Sequence, residues 1–321
     1  MSAEPLEIYL AEQDLDRSLR EDVRVGLTAQ PKWLPPKWFY DARGSELFGE
    51  ITRLPEYYPT RAERAVLTEH ADEIAEVTGA KTLIELGSGS SEKTRLLLDA
   101  FTRHGGLGTF APLDVSVSAL RESTERIATE YPGLRVRGIV GDFTRQLDRL
   151  PTGGRRLVVF LGGTVGNLLP VERAEFLTAM RAALEAGDWL LIGTDLVKDP
   201  KVIVPAYDDA AGVTADFNRN VLRVINRELG ADFDPEAFTH VAVWDPAHEW
   251  IEMRLRAERP MRVHVLDLDI GFAAGEELRT EISAKFHPEG IAAELTDTGF
   301  ATQAFWTDPD GLFGVTLARA D

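Results

Sequence analysis

The stretch TLIELGSGSSEKT, residues 82 to 94, places glycines directly after an apolar, β-branched run. Gly87 and Gly89 permit a tight turn, and Ser90 or Ser91 is placed to cap a helix that Glu92 and Lys93 begin. A dinucleotide turn needs G-x-G-x-x-G, and Glu92 stands where the third glycine would be. The P-loop pattern fails too, since no Gly-Lys-Ser/Thr follows at the required spacing. A plain tight turn stays open on this stretch alone. Other residues narrow the choice. Glu85 lies two before the first glycine. Asp114 closes the run TFAPLD, where a carboxylate can accept both hydroxyls of a ribose. GDF, Gly141 to Phe143, offers Asp142 to an adenine amine and Phe143 to its ring. A nucleoside has a place here and a phosphate has none. S-adenosylmethionine (SAM) meets that requirement, and acidic surroundings suit its sulfonium cation.

These residues need elements that bring them to one edge. From about residue 61, helical and strand patterns alternate. RAERAVLTEHADEIAEV, EKTRLLLDAFTRH, VSALRESTERIATEY and VERAEFLTAMRAALEAG have helical spacing. KTLIEL, TFAPLD, LRVRGIVGD, RRLVVFLGG and DWLLIGTD read as strands. The alternation predicts an α/β fold of βαβ units with a parallel sheet. LVVFL is apolar without alternation, as in a sheet covered on both faces. Each candidate then falls at the carboxyl end of a strand, where open α/β sheets bind ligands. TQAFWTD and FGVTLAR around DPDG predict a closing antiparallel hairpin, similar to the last two strands of the class I SAM-dependent methyltransferase (Rossmann-like) fold. Near residue 197 the alternation breaks. VIVPAYDDAAGVTADFNRNVLRVINREL is mostly helical, and AFTHVAVWD and EWIEMRLRAE read as a hairpin around DPAH, followed by RVHVLDLDI. The expected division is a SAM-binding domain of 61–196 plus 287–321 and an α+β substrate-binding domain of 1–60 plus 197–286.

Composition sets limits on the partners. The 321 residues are 44% hydrophobic and 27% charged, as in an ordinary soluble globular protein. A net charge of -18 argues against nucleic acid and anionic membrane surfaces as partners. With no cysteine, disulfides, thiolate metal sites and a Cys nucleophile are excluded. The N-terminus lacks a basic segment followed by an apolar run, and no stretch approaches a membrane span. The expectation is a cytoplasmic protein acting on a small molecule.

PPKWFYDARGSELFGEITRLPEYYPTRAE, residues 35 to 63, is rich in aromatics and does not alternate. It resembles the N-terminal signature of the histidine-specific methyltransferases of ergothioneine biosynthesis. The resemblance continues through LIELGSGSSEKTRLLLDA, GRRLVVFLGGTVGNL, LLIGTDLVKD, AYDDAAGVTADFNRNVL and TEISAKF. The extreme N-terminus and residues 256 to 272 match least well. The resemblance implies a monomeric, metal-free, two-domain enzyme that moves three methyl groups from SAM to the α-amine of L-histidine, making hercynine. It implies a cofactor site of Gly87, Lys93, Asp114, Asp142 and Phe143. It implies a histidine site of Tyr57, Asn167, Tyr207, Met253, Glu281, Ile282 and Ser283, with Tyr40, Gly162 and Thr164 beside the chemistry.

Residue chemistry is compatible with these roles. Glu281 and Ser283 are two apart on a predicted strand, so they share a face and could bond both nitrogens of an imidazole. Read alone, Glu281 is equally an exposed strand glutamate. The Asn167 amide both donates and accepts, which suits an α-amino acid, and it is equally a turn residue capping the helix after Pro170. Tyr207 is equally a core tyrosine, and Lys93, which could pair with the cofactor carboxylate, is equally a solvated helix lysine. Gly162 and Gly163 could leave room beside an amine that gains methyl groups. A methyltransferase for another amine, a nucleotide-binding dehydrogenase and a non-catalytic sensor are the alternatives. The absent third glycine disfavours the dehydrogenase.

Overall fold

The apolar runs read as strands pair side by side. The computed structural model describes residues 6–89 and 91–321. It divides into two compact units: residues up to Leu10 with Pro59–Leu196 and Phe286–Asp321, and Ala11–Tyr58 with Val197–Lys285.

The first unit is built on one large sheet. Its strands run in the order Glu7–Ile8, Ile139–Val140, Thr109–Asp114, Thr82–Leu86, Arg156–Phe160, Trp189–Asp195, Phe313–Ala320, Phe300–Thr307. All neighbours are parallel as far as Trp189–Asp195. The last two strands are antiparallel. Thr82–Leu86, Arg156–Phe160 and Trp189–Asp195 are buried at every position. One face carries Leu83, Phe110, Leu157, Val159 and Leu191 into a core with Val66, Leu67 and Ile74 of helix Pro59–Thr78 and Leu97 and Leu98 of helix Thr94–His104. Burial on both faces explains why these strands lack alternation.

Three local expectations need correction. Helix Thr94–His104 starts later than Glu92, because Ser91 has φ +51° and its hydroxyl is drawn to Glu85. Lys93 takes the cap position, and Ser90 lies outside the described residues. LRVRGIVGD is two short strands, Arg135–Val136 and Ile139–Val140, broken at Gly138. The Gly138 carbonyl accepts from Glu7 N–H at 2.9 Å, and a Cβ there would lie 2.5 Å from the Leu6 side chain. Close approach of the N-terminal strand therefore requires glycine. Residues 7–8 accordingly pair within the large sheet, although residues 1–60 were expected to join the other domain.

The second unit is α+β. Strands Glu277–Ala284, Trp250–Ala257 and Phe238–Asp245 form an antiparallel sheet in that order. Helices Pro200–Tyr207 and Val213–Leu229 pack on it, and helices Glu12–Thr28 and Ala42–Ile51 complete the unit. RVHVLDLDI folds back as the hairpin Met261–Val265 and Leu268–Phe272, with Leu266 at φ +58° in the two-residue turn.

Candidate active site

In the first unit the candidate residues follow the carboxyl ends of adjacent parallel strands. Gly87 leaves strand Thr82–Leu86 at φ +63° and donates to the Leu113 carbonyl at 2.8 Å. A Cβ at Gly87 would stand 4.0 Å from the Phe143 ring, so glycine keeps that face open. Asp114 ends the neighbouring strand. One of its carboxylate oxygens accepts from Gly89 N–H at 3.0 Å and the other from Ser116 N–H at 2.9 Å. Burial pushes this carboxyl up, against backbone N–H donors that pull it down. A carboxylate has about four acceptor sites, so capacity remains for a further donor. Asp142 turns one oxygen on Thr144, accepting from its N–H at 2.8 Å and its hydroxyl at 2.6 Å. Phe143 packs on Phe160 at 5.0 Å and on Phe176 at 5.9 Å between ring centres. This cradle of open glycine, aromatic ring and carboxylate fits an adenosine.

Glu85 braces the turn from below. Its carboxylate accepts from the Ser91 hydroxyl at 2.7 Å and from the Thr94 hydroxyl, and burial pushes it up to about 7. Lys93 donates to Glu63, which is fully buried on helix Pro59–Thr78. Glu63 also accepts from Gly162 N–H at 2.8 Å, so one carboxylate ties together the lysine and the turn after Arg156–Phe160. Gly193 leaves it space, for a Cβ there would come within 2.1 Å of its oxygen. Gly162 and Gly163 are both left-handed, at φ +79° and +68°. Thr164 donates to the Leu161 carbonyl at 3.1 Å and begins the 3-10 turn Thr164–Asn167. Asn167 is half-buried, and the cap position of the next helix is Leu169, whose N–H donates to Glu172 at 2.8 Å.

In the second unit a bulge decides which side chains share a face. Leu278 pairs with Leu255 and Arg279 with Arg254, but Glu281 pairs with Met253 and Ser283 with Ile251. Thr280 is the extra residue. Glu281 and Ser283 therefore share the face of Met253 and Leu278 instead of the charged face of Glu277 and Arg279. Ile282 pairs with Glu252 on the opposite face, so its side chain is not beside Glu281 and Ser283. The Thr280 hydroxyl holds the bulge, its one O–H shared between Asn218 Oδ1 at 2.6 Å and the Met253 carbonyl at 3.0 Å. Asn218 in turn donates to His240 Nδ1 at 2.8 Å, and His240 Nε2 lies 2.8 Å from the Tyr207 carbonyl. A carbonyl only accepts, so His240 carries its proton on Nε2. Burial holds its pKa low, in keeping with a neutral ring.

Tyr207 is buried and its hydroxyl donates to Ser283 Oγ at 2.9 Å. Its ring lies 6.4 Å from that of Tyr57, which meets Phe48 at 6.1 Å. Tyr40 edges onto the same Phe48 at 5.6 Å and is 40% exposed. Tyr40, Tyr57, Tyr207 and Ser283 are thus linked through one aromatic and polar cluster, and Glu281 and Met253 lie on the same sheet face as Ser283. Glu63, Asn218, His240, Thr280 and Lys285 were not anticipated. For Lys285 a signal existed, because Glu281, Ser283 and Lys285 alternate in TEISAKF.

The family model for histidine-specific, SAM-dependent methyltransferases matches residues 19–320. The chain belongs to this family. A histidine N-alpha-methyltransferase of Mycolicibacterium smegmatis is 57% identical over 97% of both chains. One of Mycobacterium tuberculosis is 55% identical, again over 97% of both. Ergothioneine biosynthesis protein 1 of Schizosaccharomyces pombe is 32% identical over 75% of this chain and 31% of its own. This histidine-specific methyltransferase family member is therefore a SAM-dependent enzyme with the class I strand order. Among the described residues no group of three His, Cys, Asp or Glu side chains is placed to hold a metal, and no helix is long and apolar enough to cross a membrane.

Proposed function

We propose that the enzyme transfers three methyl groups in succession from SAM to the α-nitrogen of L-histidine, yielding hercynine, as the first step of ergothioneine biosynthesis. The observation that carries this reading is the 57% identity, over 97% of both chains, to a protein named for methylation of that nitrogen. The S. pombe relative supports the pathway. In this reading Gly87, Lys93, Asp114, Asp142 and Phe143 hold the cofactor. Tyr57, Asn167, Tyr207, Met253, Glu281 and Ser283 hold histidine, and the second unit is the substrate-binding domain. Family membership also supports a monomer working in the cytoplasm.

Bound SAM supplies a methyl on a sulfonium, and each transfer forms a C–N bond as the C–S bond breaks. The residues of the chain must hold the amine in line and let its proton go, since only the neutral amine attacks. Peptide α-amines titrate at roughly 7.7 to 8.0, so each round releases a proton, to water or through a group such as Tyr40. Orientation of this kind is worth roughly 7 to 11 kcal/mol of the barrier. Left-handed Gly162 and Gly163 carry no side chain to crowd a growing trimethylammonium.

The test is mass spectrometry of products from SAM and the twenty amino acids, with NMR of the methylated species. Histidine gaining three methyls on the α-nitrogen is expected. A ring-methylated product, or a reaction that stops at one methyl with excess SAM, overturns the reading.

A further inference from the structure

Lys285 is 4% exposed, Ser283 5% and Tyr207 8%. Lys285 Nζ lies 2.8 Å from Ser283 Oγ and 2.9 Å from the Tyr207 oxygen. The two hydroxyls are themselves 2.9 Å apart. A lysine ammonium only donates, so it occupies a lone pair on each oxygen. Between the hydroxyls the phenol is the stronger acid, and it donates to Ser283. Both lone pairs of Ser283 Oγ are then taken. Its own proton has to go to a third group.

Glu281 stands two residues earlier on the same face and, ionised, can only accept. A ring held by both residues meets one acceptor and one donor. We propose that Lys285 is a positioning residue that fixes Ser283 as a donor, so that the site selects the neutral imidazole, with one N–H and one bare nitrogen. The inference rests on the reading that Glu281 and Ser283 face the ring of histidine. The buried ammonium acts in the same sense, because a second cation on the ring would be repelled across a poorly screened interior.

The test compares histidine with the two pyrrolylalanines, in each of which CH replaces one ring nitrogen. The isomer that keeps the N–H toward Glu281 lacks only the bare nitrogen. Lys285→Met should lower the histidine-to-pyrrole ratio of kcat/KM by up to about tenfold, the upper end for one hydrogen bond between neutral groups. The loss should fall mainly on the KM for histidine, with S-adenosylhomocysteine binding retained as a check of folding. Ser283→Ala should lower the ratio similarly, and the double variant should add little. If Ser283→Ala lowers the ratio and Lys285→Met does not, Lys285 has no orienting role. If Ser283→Ala also leaves it fixed, the assignment of Ser283 to the imidazole is what fails. Should Lys285→Met not fold, ¹⁵N NMR of labelled histidine on the wild-type enzyme with S-adenosylhomocysteine decides. One protonated and one bare ring nitrogen support the proposal, and a doubly protonated ring overturns it.

Discussion

Asp114 and Glu85 are two acidic residues of one turn in different situations. Asp114 already accepts two backbone N–H groups that shape the glycine loop, and it keeps lone pairs for a ribose. Asp114→Ala should weaken S-adenosylhomocysteine binding by at least about tenfold, since a charge-assisted hydrogen bond is worth about 1.5 to 3 kcal/mol. Titration calorimetry measures this, and an unchanged Kd removes Asp114 from the ribose site. Glu85 is spent on Ser91 and Thr94 inside the protein. Its carboxyl stands at about 7 in the fold against 4.5 for an ordinary glutamate. Between those values the folded state binds more protons than the unfolded chain. Stability should therefore fall as pH rises from 4.5 to 7, by at most about 1.4 kcal/mol per pH unit, and stay low above. Glu85→Gln keeps the shape, with one hydroxyl still donating to the amide oxygen and the other turning to accept from the amide NH2. The variant should lack this slope and gain most on the wild type above pH 7. Urea midpoints across pH give the answer, and parallel pH profiles for the two proteins would exclude a raised Glu85.

At the scale of elements, the Thr280 bulge puts Glu281 on the histidine-reading face assigned to it. Period-two spacing put Glu281 and Ser283 on one face, and that is legible because no bulge falls between them. Which face they join was not legible. It depends on one unpaired residue upstream, and on a hydroxyl reaching Asn218 some 62 residues away in sequence. The Ser91 distortion was hidden for a different reason, because its hydroxyl goes to buried Glu85, six residues earlier, and not to the start of its helix. Thr280→Val keeps the volume and removes both hydroxyl bonds. Leaving buried Asn218 and the Met253 carbonyl short of a donor should reduce stability by about 1 to 3 kcal/mol. The KM for histidine should rise at least about fivefold while S-adenosylhomocysteine binding stays within about twofold, since Thr280 and the cofactor residues belong to different units. Steady-state kinetics with saturating SAM measures the first quantity. A variant with normal KM for histidine would mean that the bulge holds without its threonine.

For the molecule as a whole, the α/β class and the closing antiparallel hairpin were legible because most of the first unit's strands are apolar and regularly separated by helices. Edge details were not, since two-residue strands such as Glu7–Ile8 carry too few side chains for a pattern. The large sheet also separates its tasks. The glycine turn, Asp114 and Gly162 follow the carboxyl ends of parallel strands, whereas Arg156 and Asp188 sit where two neighbouring strands begin. Arg156 is 1% exposed, and Asp188 accepts from its backbone N–H at 2.8 Å and its Nε at 2.7 Å. Asp188 also accepts from Glu185 N–H at 2.9 Å. Replacing such a buried pair entirely by apolar groups can be neutral, but removing one partner strands a buried charge and costs roughly 3 to 5 kcal/mol. Asp188→Ala leaves the Arg156 guanidinium the Pro151 carbonyl at 3.1 Å in place of a carboxylate. The variant should lose stability on that scale in urea unfolding, yet bind S-adenosylhomocysteine with the wild-type Kd while folded. A loss below about 1 kcal/mol would place the pair with weak surface ion pairs despite its burial. A large change in Kd would show that disturbance at the start of the strands reaches the turns at their other end, against the separation of tasks.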